Sequence, residues 1–299
     1  MTLYEFLETV HLAYRPRSYL EIGINEGRSL SLSRTRTIGV DPDFGITWEV
    51  ACDLQVVKAT SDDFFARPEP LAHFPDGRID LAFVDGLHLF EYTLRDFMNV
   101  ERRAHWTSVV VVDDVLPRNV ARARRNRGSL TGWPGDVFKL TEVLTRYRPD
   151  LLVLPLDTEP TGVLLVLGLD PQSGVLREHY DEIVAEYVYP DPQRVPEAVL
   201  RRETASDPTS IADSGVWARL REAREAGMDR QTGWEAVRRS VEATARPAAP
   251  RELTPANLRP FWAASASAGS PPLPRRALRA VRRRLRPLRR QARRLRRSA

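Results

Sequence analysis

Short apolar runs and longer amphipathic stretches alternate along the first 170 residues of the chain. The apolar runs predict β-strands at 19–24, at 37–41, within 50–59, and at 79–85, 108–113, 151–156 and 162–168. The intervening stretches predict helices at 3–14, from about 29 with Ser29 as its N-cap, from about 61, at 90–103 and at 135–147. Strands that alternate with helices are typical of an α/β fold, here a doubly wound and mostly parallel sheet.

The order of segments also predicts how the chain is divided. The turn at 157–161 is too short for a crossover, so the last two strands should form an antiparallel hairpin that ends a main domain at 1–170. Residues 171–245 have a mostly helical pattern and form a predicted helical appendage. A linker rich in Pro, Ala and Ser at 246–274 precedes an arginine-rich tail at 275–299.

Charge is distributed unevenly along the chain. The tail holds thirteen arginines and no acid, so residues 1–274 carry 32 basic and 40 acidic residues, a net charge of −8. An acidic body does not indicate nucleic-acid binding, and no specific nucleic acid is expected as a partner. Apolar residues recur in the tail every three or four positions, which is typical of a basic amphipathic helix on an anionic membrane. Docking on nucleic acid or an acidic partner, binding to the acidic body, and a solvated disordered tail are the alternatives.

The single cysteine, Cys52, excludes an internal disulfide and a cysteine-based metal site. No apolar run reaches the roughly 18 to 20 residues that a membrane-spanning helix needs, and the polar start is not that of a signal peptide. We therefore expect a cytoplasmic protein whose tail can reach the inner face of the membrane.

Carboxylates stand at the ends of three predicted strands. Asp41 ends the second strand, Asp85 ends the fourth, and Asp113 and Asp114 end the fifth. The carboxyl ends of parallel strands face one crevice, so these acids should converge there together with His88. Each acid could instead be a plain strand-end residue or a helix cap, and His88 could be a structural histidine.

This group predicts two kinds of chemistry. Carboxylates that lie close together repel one another, and a hard divalent cation such as Mg²⁺ relieves the repulsion, so Asp85, Asp113 and Asp114 are the predicted metal ligands. Imidazole titrates near neutral pH, so His88 is the predicted proton acceptor.

The first predicted strand runs into a turn with the pattern Glu21-x-Gly23-x-Asn25-x-Gly27. The pattern lacks the third glycine of a dinucleotide fingerprint and by itself indicates only a tight turn. Asp41, about twenty residues after the turn, is placed to accept both hydroxyls of a ribose. The alternative for Asp41 is a surface acid that caps the next loop.

Taken together, these motifs resemble those of the class I S-adenosylmethionine-dependent methyltransferases, which have a Rossmann-like fold. The chain is most similar to the bacterial O-methyltransferases related to macrocin O-methyltransferase. The similarity rests on four motifs in the right order over residues 15–170 and on the run Asp85-Gly86-Leu87-His88. The similarity to catechol O-methyltransferase is more distant. The resemblance implies an O-methyltransferase that uses S-adenosylmethionine and, as a metal cofactor, Mg²⁺.

The resemblance also implies roles for individual residues. In the cofactor site, the methionine moiety would contact Glu21, Gly23, Gly27 and Ser29, and Asn25 lies in the same turn. The ribose would contact Asp41, and the adenine would lie by Ser61 and Asp62. Asp85 would complete the cofactor site. Asp85, Asp113 and Asp114 match the metal triad of the catechol enzymes, in which the last ligand is usually Asn. The lysine base of those enzymes has no counterpart here, which favours His88, with Asp85, as the catalytic residues.

The sequence says less about the acceptor. The resemblance implies a hydroxyl of a sugar, a glycoconjugate or a secondary metabolite. Five arginines after the fifth strand could form a lid over an acidic or phosphorylated acceptor, or only a solvated basic face: Arg118, Arg122, Arg124, Arg125 and Arg127. The competing functions are a catalytically silent relative that the tail recruits to a membrane or assembly, and a nicotinamide-dependent oxidoreductase. The glycine spacing and the terminal hairpin count against the oxidoreductase.

Overall fold

Seven strands form one sheet in the described part of the chain, which is residues 1–128, 130 and 132–259 of the computed structural model. The strands are β1 (Ser18–Ile22), β2 (Arg36–Val40), β3 (Leu54–Val57), β4 (Ile79–Val84), β5 (Ala104–Val112), β6 (Leu152–Leu156) and β7 (Val163–Leu167). Their order in the sheet is β3-β2-β1-β4-β5-β7-β6. Strands β1 to β5 pair in parallel, whereas β7 is antiparallel to both β5 and β6. The predicted α/β fold with a C-terminal antiparallel hairpin is therefore confirmed.

The central strands are buried throughout because helices cover both faces of the sheet. Every residue of β1, β4 and β7 is buried. Successive residues of a strand point to opposite faces, so that Leu20 and Ile22 belong to one apolar core and Tyr19 to the other. The chain order reverses between β1 and β4, and this switch point opens a crevice at the carboxyl ends of the strands.

The helices divide between the two faces. The described helices are α1 (Leu3–Tyr14), α2 (Ser61–Phe65), α3 (Phe90–Glu101), α4 (Lys139–Tyr147), α5 (Val175–Glu178), α6 (Tyr180–Tyr187), α7 (Glu197–Leu200), α8 (Pro208–Ala212), α9 (Val216–Glu225), α10 (Arg230–Thr244) and α11 (Pro255–Leu258). Apolar residues of α2, α3, α4 and α6 pack in one core, and those of α1, α8, α9 and α10 pack in the other. A capping box between Thr2 and Glu5 starts α1.

The predicted helix from about residue 29 is not formed. Only one 3₁₀ turn, Leu30–Leu32, lies there, because β2 begins at Arg36 and leaves no room for a longer helix. Ser29 makes no capping hydrogen bond. Its hydroxyl donates instead to Oε1 of Glu21, at 2.7 Å.

Two helices of the predicted helical appendage, α9 and α10, pack on the sheet. Both α9 and α10 contact β5, and α9 also contacts α1. Trp217 of α9 is fully buried, with its ring 6.2 Å from that of Phe6. These helices therefore form the second cover layer of the sheet.

The first part of the predicted linker lies against this body. The backbone N–H of Ala248 donates to the carbonyl of Ala205 at 2.9 Å, and that of Arg251 donates to the carbonyl of Arg201 at 2.8 Å. The rest of the predicted linker, 260–274, and the predicted tail at 275–299 lie outside the described residues. None of the helices described here has both the length and the apolar character that crossing a bilayer would take.

Candidate active site

A cavity of about 770 Å³ opens at the carboxyl ends of the strands beside the switch point. Most of the residues predicted for the site line it: Gly23, Asn25, Asp41, Ser61, Asp62, Asp85, His88, Asp113 and Asp114. A volume of this size is typical of a pocket for a cofactor or a small ligand.

The turn after β1 forms one wall of the cavity. Gly23 has φ +92°, and a Cβ on it would overlap the backbone carbonyl of Asp85, so only glycine fits. The backbone N–H groups of Ile24 and Asn25 donate to Oδ2 of Asp41, at 2.8 and 3.0 Å. The N–H of Asp43 donates to Oδ1 of Asp41 at 2.7 Å. Asp41 therefore fixes the turn and, at the same time, lies on the cavity wall.

Three of the predicted cofactor residues lie behind this wall. Glu21, Gly27 and Ser29 are not among the residues that line the described cavity. Glu21 is fully buried, and its carboxyl accepts hydrogen bonds from the hydroxyl of Tyr19 at 2.6 Å and from that of Ser29 at 2.7 Å. Burial raises the pKa of Glu21 to about 8. Glu21 and Ser29 thus support the turn from the protein interior.

The start of α2 also lines the cavity. The side chain of Thr60 caps this helix by accepting from the N–H of Asp63 at 3.1 Å, which places Ser61 and Asp62 at the wall. Arg95 of α3 binds both carboxylate oxygens of Asp62, with distances of 3.0 and 2.6 Å. Asp62 therefore meets the cavity as one half of an ion pair.

Sequence reasoning missed Asp96, which also lines the cavity. Asp96 is buried, its Oδ1 has no hydrogen-bond partner among the described residues, and burial raises its pKa to about 7. The signal available in the sequence was an acid within the apolar inner face of α3.

The centre of the cavity holds an acid–histidine group. One ligand atom from each of Asp85, His88 and Asp114 lies within 4.8 Å of the other two. Nδ1 of His88 contacts Oδ2 of Asp114 and lies 3.8 Å from Oδ1 of Asp85. His88 and Asp114 have φ of +57° and +69°, a strained conformation for side-chain-bearing residues and one that is common at functional sites.

Asp113 is not a member of this group, although the sequence predicted it as a metal ligand. Its Oδ1 accepts the backbone N–H of Asp114 at 2.8 Å. Asp113 thus supports Asp114, and the donor atoms that the structure brings together belong to Asp85, His88 and Asp114.

This donor set fits a divalent cation. Burial, followed by the nearby carboxylates of Asp113 and Asp114, raises the pKa of Asp85 well above its usual range. Burial and then Asp114 do the same to the pKa of Asp113. A cation among these groups would offset the repulsion, and the carboxylate oxygens of Asp85 and Asp114 are ordinary ligands for a hard divalent cation.

Residues far along the chain position His88, and sequence reasoning missed them as well. Gly135 has φ +58°, and a Cβ on it would overlap the carbonyl oxygen of His88. The ring of Trp133 lies 5.6 Å from that of His88. Oδ1 of Asp136 accepts the N–H of Phe90, the first residue of α3, at 2.9 Å. No periodic pattern in the sequence connects these residues to His88.

The carboxylate of Asp136 belongs to a buried network. Its Oδ2 accepts from Nζ of Lys139 at 2.8 Å and from Nη1 of Arg125 at 2.7 Å. Lys139 is buried and also donates to Oε1 of Gln193 at 2.6 Å. The network therefore holds the start of α3, and with it the turn that carries His88.

Part of the chain matches a known protein family. Residues 20–115 match the family described as "Methyltransferase domain" (methyltransferase family 24). The matched segment runs from β1 to just beyond β5 and contains Gly23, Asp41, Asp85, His88 and Asp114. A comparison with curated proteins finds no match.

Several solved structures resemble the chain weakly. One is cofactor-bound Rv0187 from MTB, with 19% identity over 56% of this chain and 81% of that one, at a TM-score of 0.42. A second is the O-methyltransferase TomG from Streptomyces achromogenes in complex with SAM, with 20% identity over 56% and 79% of the two chains, at a TM-score of 0.40. A third is an O-methyltransferase from Bacillus cereus in complex with SAH, with 14% identity over 55% and 80%, at a TM-score of 0.38.

Most of the cavity residues lie within the matched stretch, whereas Arg118, Arg122, Arg127 and Trp133 follow it. Residues 20–115 are thus similar to methyltransferase domains, and they carry the Gly23 turn and the acid–histidine group.

Proposed function

We propose that this protein transfers the methyl group of S-adenosylmethionine to a hydroxyl of a small acceptor, with the assistance of a divalent cation. The observation that carries the proposal is the convergence of Asp85, His88 and Asp114 in the cavity that also holds the Gly23 turn and Asp41. A methyl donor and an oxygen nucleophile need a shared cavity, a base and a means of stabilising an anionic oxygen. The group in this cavity supplies such a base and such carboxylates.

His88 acts as the base in this proposal. Its Nδ1 faces the carboxylate of Asp114, which orients the ring and stabilises the imidazolium that forms. The hydroxyl gives its proton to the imidazole while its oxygen attacks the methyl carbon in line. The C–O bond forms as the C–S bond of the sulfonium breaks, so opposite charges are neutralised and positioning supplies most of the rate.

Asp85 and Asp114 hold the cation in this proposal, and Asp113 supports them through its hydrogen bond to the N–H of Asp114. When bound, a divalent cation lowers the pKa of a hydroxyl beside it. The carboxylate of Asp114 has two oxygens, so one can face His88 while the other faces the cation.

Asp41 is proposed to bind the ribose and the Gly23 turn to bind the methionine moiety. Ser61 and Asp62, at the start of α2, lie on the wall that would meet the adenine. The remaining part of the cavity would take the acceptor, for which we propose a sugar, a glycoconjugate or a secondary metabolite.

Two binding experiments test this proposal. Calorimetry should show binding of S-adenosylmethionine and none of NAD; the reverse result would make the protein an oxidoreductase. Titration of Mn²⁺ followed by electron paramagnetic resonance should show one site in the full chain, and Asp85→Asn should abolish it. Asp113→Asn is the matched control, because Asp113 lies outside the donor group and should weaken binding less. Equal losses in the two variants, or no Mn²⁺ site at all, would contradict the proposed cation site.

A further inference from the structure

The five arginines that follow β5 fall into two sets. Arg125 turns inward, where it pairs with Glu91 at 2.5 Å and with Asp136 at 2.7 Å. Arg124 is also buried and donates to the carbonyl of Arg127 at 2.9 Å. These two side chains anchor the loop.

The other three arginines line the cavity: Arg118, Arg122 and Arg127. Arg118 is half-exposed and pairs with Glu159 at 2.7 Å. Arg122 donates to the carbonyl of Gly132 at 2.6 Å. Arg127 is exposed, and no carboxylate of the described residues pairs with it. Three arginines of one loop therefore line the cavity.

The loop is held as a wall of the cavity. Nε1 of Trp133 donates to the carbonyl of Arg124 at 2.6 Å. The N–H of Val120 donates to the carbonyl of Asn257 at 3.0 Å, and the N–H of Arg125 donates to Asp191 at 2.9 Å. A basic face that contacts only solvent would not need these three hydrogen bonds. They favour the alternative in which the arginines face a ligand.

The cavity lining carries both acids and arginines. The wall proposed for the cofactor presents the acids Asp41, Asp43 and Asp62. Arg118 follows Asp114 by four residues, and the ring of Trp133, at the end of the arginine loop, lies 5.6 Å from that of His88. The loop that carries the arginines thus contacts the acid–histidine group, where the acceptor hydroxyl is proposed to bind, and a negatively charged acceptor would be attracted to it.

We propose that the methyl acceptor carries a phosphoryl group, seated by Arg118, Arg122 and Arg127 while its hydroxyl meets His88. Guanidinium groups bind phosphate oxygens in a bidentate fork, and three of them can contact different oxygens of one phosphoryl group. A carboxylate has two oxygens and a single charge, whereas a phosphate monoester carries about −1.5 to −2 and three acceptor oxygens. The proposal rests on the function proposed above, because it describes the acceptor of that reaction.

The test uses inorganic phosphate and pyrophosphate as probes of the full chain, with S-adenosylhomocysteine present. Pyrophosphate should raise the thermal unfolding midpoint of the protein, because a ligand that binds only the folded body stabilises it. In calorimetry, Arg122→Gln/Arg127→Gln should bind pyrophosphate with an affinity about tenfold lower than that of the wild type, or lower still. Tighter binding of pyrophosphate than of phosphate would indicate a diphosphate-linked acceptor, and the reverse a monoester; both support the proposal.

The matched control is Arg238→Gln/Arg239→Gln. It removes the same charge from the exposed face of α10, where the two side chains are 40% and 70% exposed. The thirteen arginines of the tail are present in every variant and cancel in the comparison. Equal pyrophosphate affinity in the cavity variant, the control and the wild type would overturn the proposal. A protein that binds pyrophosphate through the cavity arginines but fails to bind S-adenosylhomocysteine would contradict the methyl-transfer function and leave the anion site standing.

Discussion

Replacing Glu21 with Gln should change how the stability of the protein depends on pH. Glu21 is fully buried in β1, and its neighbours are the hydroxyls of Tyr19 and Ser29. Glutamine has nearly the same shape and can keep hydrogen bonds to both hydroxyls, so Glu21→Gln removes a titrating proton with little change in packing.

The magnitude follows from the two pKa values. Burial raises the pKa of Glu21 from the ordinary 4.5 to about 8 in the folded protein. Between these values the folded state holds a proton that the unfolded chain has lost, so stability falls as pH rises, by about 1.4 kcal/mol per pH unit. From pH 5 to pH 8 this contribution lowers the free energy of unfolding of the wild type by roughly 4 kcal/mol. The loss levels off above the pKa of Glu21 in the folded protein.

Urea unfolding of the wild type and Glu21→Gln at pH 5, 6, 7 and 8 measures the effect. At each step to higher pH, the free energy of unfolding of Glu21→Gln should rise relative to that of the wild type. Other groups with raised pKa, including Asp96, are common to both proteins and cancel in the difference. Two parallel curves would refute the reasoning and would mean that Glu21 is ionised in the folded protein.

The other predictions concern the site, the loop and the tail. Asp41→Ala should weaken S-adenosylmethionine binding by about tenfold or more in calorimetry, because the proposed ribose acceptor is lost; unchanged affinity would remove Asp41 from the cofactor site. His88→Ala should lower the methyl-transfer rate by roughly 10² to 10⁴-fold while cofactor affinity stays the same, and an equal rate would make His88 structural. Gly135→Ala should displace the His88 turn and destabilise the protein more than Gly77→Ala, since Gly77 has a similar φ of +64° but no atom within 4 Å of an added Cβ; equal unfolding midpoints would argue against the clash. Truncation after Pro274 should abolish salt-sensitive co-sedimentation with anionic vesicles, and equal recovery of both forms in the supernatant would leave the tail without a membrane role.

Much of the fold could be predicted from the sequence because it depends on local patterns. Continuous apolar runs mark the buried strands, and the length of the 157–161 turn decides that β6 and β7 are antiparallel. The helix predicted from about residue 29 failed because local pattern ignores the distance to the next strand, which begins at Arg36.

The position of the candidate site could be predicted from the sequence, but the contacts within the site could not. Strand ends bring Asp41, Asp85 and Asp114 to one crevice, as expected for a parallel sheet. Asp113 and Asp114 both line the cavity, but Oδ1 of Asp113 accepts the backbone N–H of Asp114, a contact that no sequence pattern indicated. His88 joins that group through a backbone conformation with positive φ, which no sequence pattern indicated.

Two glycines contact the turn from Asp85 to His88. Gly23 lies against the carbonyl of Asp85, and Gly135 lies against that of His88. In both places the nearest atom is a backbone carbonyl oxygen, so exchanging side chains elsewhere in the cavity leaves this turn in place. Under the proposed function, varying the loop arginines would change the acceptor while the proposed base and carboxylates keep their positions. Directed evolution of acceptor preference should accordingly concentrate its substitutions at Arg118, Arg122 and Arg127, and leave Arg125, Trp133 and the two glycines alone.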